Sequence, residues 1–117
     1  MEQKETVIYE YRLAGYSDTS RIEWVKLPVR ETAKRYELTT VYSSPFSMNH
    51  QWNKRDEGII FRDRYLYLTQ HDPKQAKDLF LNELKSKVEW RKRELEIAQK
   101  ALQAVETGQV KEYKLDI

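Results

Sequence analysis

Residues 6–14 alternate, with Val7, Tyr9, Tyr11 and Leu13 on one side and Glu10 and Arg12 on the other. That is the period-two pattern of a half-buried strand, and it is rich in strand formers. Gly15-Tyr16-Ser17-Asp18 supplies turn chemistry. A second strand is expected over 21–29, with Ile22 and Trp24 on one face and Val25, Leu27 and Val29 on the other. Pro28 confines it to an edge or to its final residues. The polar run Glu31-Thr32-Ala33-Lys34-Arg35 reads as a turn, and 37–43 as a third strand with Leu38 and Tyr42 opposite Val41. From 43 to 58 the periodicity disappears and Ser, Asn and Pro dominate, so a long loop is expected. Strand character returns over 59–69. A single strand, straight or bulged, is favoured there over a hairpin at Arg62-Asp63-Arg64, because Arg-Asp is poor material for a two-residue hairpin loop.

Asp72 then suits a helix N-cap, Pro73 the first helical position and Gln75 the third position of a capping box. Nothing breaks the helix before Thr107-Gly108, where glycine is a stop signal. At 1.5 Å per residue the span 73–106 makes a rod of roughly 51 Å, whereas a compact chain of this size has a radius of gyration of only ~13 Å. The helix is therefore expected either to overhang its domain or to fold into a hairpin. Tyr113, Leu115 and Ile117 alternate in the tail 109–117, as in a short terminal strand. The expected fold is α+β: an antiparallel sheet of four to five strands, one long C-terminal helix or helical hairpin covering one face, and the terminal strand. One domain spans 1–117, with a strand-rich part (1–71), the helix (72–108) and the tail (109–117).

The apolar pattern of the helix narrows along its length. Ala76, Leu79, Phe80, Leu81, Leu84 and Val88 form a broad face suited to a sheet. Leu81, Leu84, Val88, Arg91, Leu95, Ala98, Leu102 and Val105 then alternate spacings of three and four, a heptad seam interrupted only by Arg91. A helix packed on its own sheet throughout would carry a similar stripe. The length of the rod favours self-association, with Leu84, Val88, Arg91, Leu95, Ala98, Leu102 and Val105 as the interface of a homodimer.

Charge narrows the choice of partner. The chain carries 21 basic and 19 acidic residues, a net +2, balanced in both halves, so neither is a magnet for nucleic acid or lipid. The cations Lys85, Lys87, Arg91, Lys92 and Arg93 alternate with Glu83, Glu89 and Glu96 at helix-stabilising spacings and read as a solvated face. The absence of cysteine excludes disulfides, thiolate metal sites and thiol nucleophiles. No apolar segment approaches the ~20 residues of a membrane span, and with a polar N-terminus the expected location is cytoplasmic.

Candidate chemistry is sparse. His50 and His71 are the two histidines; His50 lacks a spaced ligand set, and Asp72 beside His71 is explained as a cap. No phosphate loop or nucleophile elbow is present. Neither a catalytic residue, a metal site nor a cofactor is expected, and the chain reads as a non-enzyme. The loop offers the better site: Tyr42, Phe46, His50 and Trp52 run into Lys54 and Arg55, aromatic anchors beside cations. Such a segment suits a protein hot spot or, alternatively, stacking on single-stranded nucleic acid. On this reading Trp52→Ala and Phe46→Ala cost less stability than Leu84→Ala, and Trp52 and Phe46 instead plug the sheet if they do not.

The residues Val29-Arg30-Glu31-Thr32-Ala33-Lys34-Arg35-Tyr36, Lys54-Arg55, Tyr65-Leu66-Tyr67-Leu68 and Asp72-Pro73-Lys74-Gln75-Ala76-Lys77, in that order, resemble small uncharacterised proteins of phages and mobile elements of Gram-positive bacteria. The resemblance implies an accessory role, such as modulating a host protein, countering a defence system or assisting replication. The leading expectation is an interaction protein that binds another protein; the alternative is a nucleic-acid-binding accessory protein using Trp52, Lys54, Arg55 and the helix cations.

Overall fold

A computed structural model describes residues 6–15, 17–40 and 42–117. The expectations placed on residues 1–5, Tyr16 and Val41 lie outside these. Five antiparallel strands form one curled sheet: β1 (Thr6–Ala14), β2 (Arg21–Glu31), β3 (Arg35–Leu38), β4 (Gln51–Asn53) and β5 (Tyr65–Leu68), in the order β4-β3-β2-β1-β5. A single helix, α1 (Pro73–Glu106), follows, which removes the hairpin alternative for 73–106. The tail 109–117 takes no place in the sheet order. By compactness the chain divides inside α1, into Met1–Asn82 and Glu83–Ile117, so the first turns of the helix belong to the strand-rich unit.

In the strand-rich unit β1 and β2 pair along the whole of β1, from Thr6 opposite Val29 to Ala14 opposite Arg21. Pro28 is tolerated because β3 pairs with β2 only from Val29 onward. Its carbonyl accepts from Thr39 N at 3.3 Å, so its missing N–H falls on the same outer side, beyond the regular ladder. The third strand begins earlier than expected. Thr32 closes a tight turn, its N donating to Arg35 O at 2.9 Å and its hydroxyl accepting from Arg35 N at 3.1 Å, which starts β3 at Arg35.

The pattern over 59–69 is a tight turn, not one strand. Arg62 and Asp63 both adopt positive φ, 51° and 63°, and Phe61 N donates to Tyr65 O at 2.9 Å. Two consecutive left-handed residues match the right-handed twist of the flanking chain, and Asp tolerates that conformation better than most non-glycine residues. A three-residue hairpin loop, Arg62-Asp63-Arg64, therefore joins Phe61 to its partner Tyr65.

Two apolar clusters lie on opposite faces of the sheet. One joins Ile8, Leu27, Val29, Trp52 and Tyr67. The other joins Tyr11, Leu66, Leu68, Ala76 and Phe80, flanked by Tyr9, Leu13, Ile22, Ile60 and Leu79, so the first turns of α1 cover one face as their pattern implies. The start of α1 is built as expected on one side only. Asp72 Oδ1 accepts from Gln75 N at 3.0 Å, but Asp72 N donates to the Tyr11 hydroxyl at 2.8 Å, taking the bond a capping box assigns to the third-position side chain. At the other end Gly108 sits at φ 70°, Gln109 N donates to Ala104 O at 2.9 Å and Gly108 N to Val105 O at 3.2 Å. These are the two bonds of a Schellman stop.

Candidate functional site

The loop expected over 43–58 is anchored from beneath by a residue placed on the solvent face by its alternation. Glu10, in the middle of β1, is wholly buried. Its Oε1 accepts from the Ser44 hydroxyl, and its Oε2 accepts from the Ser47 hydroxyl at 2.7 Å and from Trp52 Nε1 at 3.1 Å. Ser44 turns the chain at the same time, its Oγ accepting from Phe46 N at 3.0 Å, while Ser44 N donates to Asn49 O at 2.7 Å. A buried carboxylate must find donors, and here three neutral donors satisfy it, Ser44 and Ser47 from the loop and Trp52 from β4. Glu10, Ser44 and Ser47 carried no sequence signal. A glutamate between two tyrosines in a strand reads as outward-facing, and the reason it turns inward is a contact more than thirty residues away.

Trp52 is 4% exposed and lies on a strand, β4, where a loop was expected. This corrects its assignment as a surface anchor: the indole closes the core over Ile8 and Tyr67, and its N–H is spent on Glu10. The same burial argues for the opposite stability ranking of Trp52 and Leu84, since Leu84 is 43% exposed. Phe46 is half-buried beneath the Arg12 guanidinium, 4.1 Å from its ring centre. Tyr42 and His50 are exposed, and the His50 carbonyl accepts from Leu38 N at 2.9 Å. The six loop residues thus do not form one surface.

Lys54 and Arg55 do come together, with partners the sequence did not single out. A cleft of about 510 Å³ is lined by Ala33, Lys34, Arg35, Asn53, Lys54 and Arg55, where the β2–β3 turn meets the 3₁₀ turn Lys54–Asp56 that follows β4. Lys54 Nζ reaches Glu31 Oε1 at 2.6 Å and stands 5.4 Å from the centre of the Tyr36 ring. Burial, followed by the Glu31 carboxylate, holds the Tyr36 hydroxyl pKa above its ordinary value.

His71 serves in packing. Its ring lies 4.2 Å from Trp24 and 5.2 Å from Tyr9, centre to centre, and its Nδ1 is 3.0 Å from the Tyr11 hydroxyl. Burial raises the Tyr11 hydroxyl pKa. Asp72 is engaged as the helix cap, so His71 and Asp72 do not form a base with an orienting carboxylate. Among the described residues no group of three or more His, Asp or Glu is placed to hold a metal ion, and no helix is long and apolar enough to cross a membrane.

The second surface lies on α1 beyond Asn82. Leu84, Val88, Leu95, Leu102 and Val105 of the heptad seam are 43–65% exposed, and between Leu84 and Leu95 the seam forms a shallow groove with the stems of Lys87, Arg91 and Lys92. Arg91 is turned aside, its Nη1 donating to Glu94 Oε2 at 3.0 Å, and Lys92 lies 3.7 Å from Glu89. Trp90 and Ile97 are equally exposed off the seam, a pair spaced by seven residues that the heptad reading passed over. Compared with known proteins, the chain matches no family model, no curated protein and no solved structure.

Proposed function

We propose that the protein is a non-enzymatic interaction module that pairs with a second copy of itself through α1, presenting two strand-rich units to another protein. The observation that carries this reading is the row of exposed leucine and valine side chains from Leu84 to Val105. Contiguous apolar surface in heptad register is unfavourable in water and is removed from it by a matching helix.

The charges favour an antiparallel pair. In a parallel, in-register pair each Arg91 meets its own counterpart in the seam, and Lys87 approaches Lys92 of the second helix. Antiparallel layering sets Arg91 opposite Leu102, Val88 opposite Val105 and Leu95 opposite Ala98, and brings Lys85 toward Glu106. Twofold homodimers are also the commonest oligomers. The accessory role implied by the resemblance fits a protein whose work is contact. Light scattering tests the pairing: a dimer is expected at tens of micromolar, and Leu95→Glu with Leu102→Glu should yield a monomer whose strand-rich unit retains its circular dichroism. A monomeric parent protein at that concentration defeats the proposal.

A further inference from the structure

We propose that the cleft between the β2–β3 turn and the start of the 3₁₀ turn Lys54–Asp56 binds phosphate groups, on a ligand about the size of a nucleotide. The proposal is independent of helix pairing. Of the six residues lining the cleft four are cationic and none is acidic, in a chain whose overall charge is nearly balanced. Its volume of about 510 Å³ falls within the range of small-molecule sites.

The backbone brings these cations together from two distant segments. Arg35 stands opposite Asn53 in the β3–β4 ladder, and Lys54 N donates to Lys34 O at 2.9 Å. Two of the nearby carboxylates pair with cations of the cleft and a third is engaged outside it. Glu31 holds Lys54, Glu37 holds Arg30 at 2.5 Å, and Asp56 lies 4.0 Å from Arg55. Arg35 donates to the neutral Gln51 Oε1 at 3.3 Å, which fixes its guanidinium without cancelling its charge. Lys34 and Arg35 have no carboxylate partner among the described residues. Phosphate oxygens supply acceptors in the geometry that arginine and lysine select, and a concave wall of one sign concentrates such anions.

Titration of the full chain with inorganic pyrophosphate and, separately, with a short thymidine strand, followed by amide NMR, tests the site. Saturable shifts confined to residues 33–35 and 53–55 are expected, and Lys34→Ala with Arg55→Ala should weaken binding at least about tenfold, the worth of one charge-assisted contact. Lys74→Ala with Lys77→Ala removes the same charge from α1 and should leave affinity within about twofold. Comparable affinity for both probes assigns the site to free phosphate compounds. Much tighter binding of the strand assigns it to nucleic-acid phosphates. Shifts spread over the surface, equal losses in the two double variants, or equally effective competition by a glutamate-rich peptide would each overturn the proposal.

Discussion

The two stretches of α1 carry similar apolar spacing and meet different surroundings. In 73–82, Ala76 and Phe80 are buried and Leu79 packs beside them against Leu66 and Leu68 of the sheet. In 83–106 no residue is buried, although Leu84, Val88, Leu95 and Leu102 recur as regularly. Periodicity announces that a face is made to be covered and leaves open what covers it. For the first stretch the cover is the chain's own sheet; for the second, a second copy is the proposed cover.

The largest expected effect comes from setting one residue of each region side by side. Trp52→Ala should cost about 3–5 kcal/mol in denaturant unfolding, as removal of a buried aromatic does, and it leaves Glu10 a donor short. Leu84→Ala should cost less than about 1 kcal/mol in dilute protein, because the side chain is already exposed. If the cost of Leu84→Ala rises with protein concentration while that of Trp52→Ala does not, the seam is filled by association. Equal costs at all concentrations would erase the distinction between the regions.

Much of the architecture is legible in the sequence where the cause is local. The alternation of 6–14, the cap at Asp72 and the stop at Gly108 each depend on neighbours a few residues away, and each element ends as its residues imply. What is not legible depends on distant contacts. β4 is three residues long, too short for a pattern, and exists because Trp52 finds Glu10 and Tyr36 pairs across from it. The turn at Arg62-Asp63 runs against its composition because the surrounding pairing holds it. Of the candidate site, Lys54 and Arg55 were visible as cations, but Lys34 and Arg35 join them only through the β3–β4 register.

Alkaline pH should act on the strand-rich unit through its tyrosines. Burial raises the hydroxyl pKa of Tyr67 most, and also those of Tyr11 and Tyr36, above the ordinary 10.0. Above pH 10 the unfolded chain loses these protons while the folded chain keeps them, so the unfolded state is favoured as pH rises. The stabilisation is complete below about pH 10 and is lost as pH climbs through the folded values. Melting temperature should therefore be flat from about pH 7 to 9 and fall beyond about 10. Tyr67→Phe lowers the plateau by removing its 2.5 Å bond to Asn53 O and should make the alkaline fall shallower. Tyr113, exposed in the tail, is the control, and Tyr113→Phe should change neither.

The smallest effects come from two glycines that share a backbone conformation and differ in setting. Gly15, between β1 and β2, has φ 85°, and a Cβ there would stand 2.5 Å from Thr19 O. Gly108, after α1, has φ 70° with nothing within 4 Å of such a Cβ. Both changes to alanine force a left-handed conformation, a strain of about 1 kcal/mol. Gly15→Ala adds a collision with backbone that cannot turn away as a side chain would, so its cost should reach about 2–3 kcal/mol and lower the unfolding midpoint of the strand-rich unit. Gly108→Ala should cost about 1 kcal/mol or less and be confined to the Schellman bonds of Gln109 and Gly108. Amide exchange should then quicken at residues 104–109 while the unfolding midpoint of the sheet stays put. A fall in that midpoint on Gly108→Ala as large as on Gly15→Ala would mean that the two units unfold as one, and that the end of α1 is bound into the same cooperative structure as the sheet.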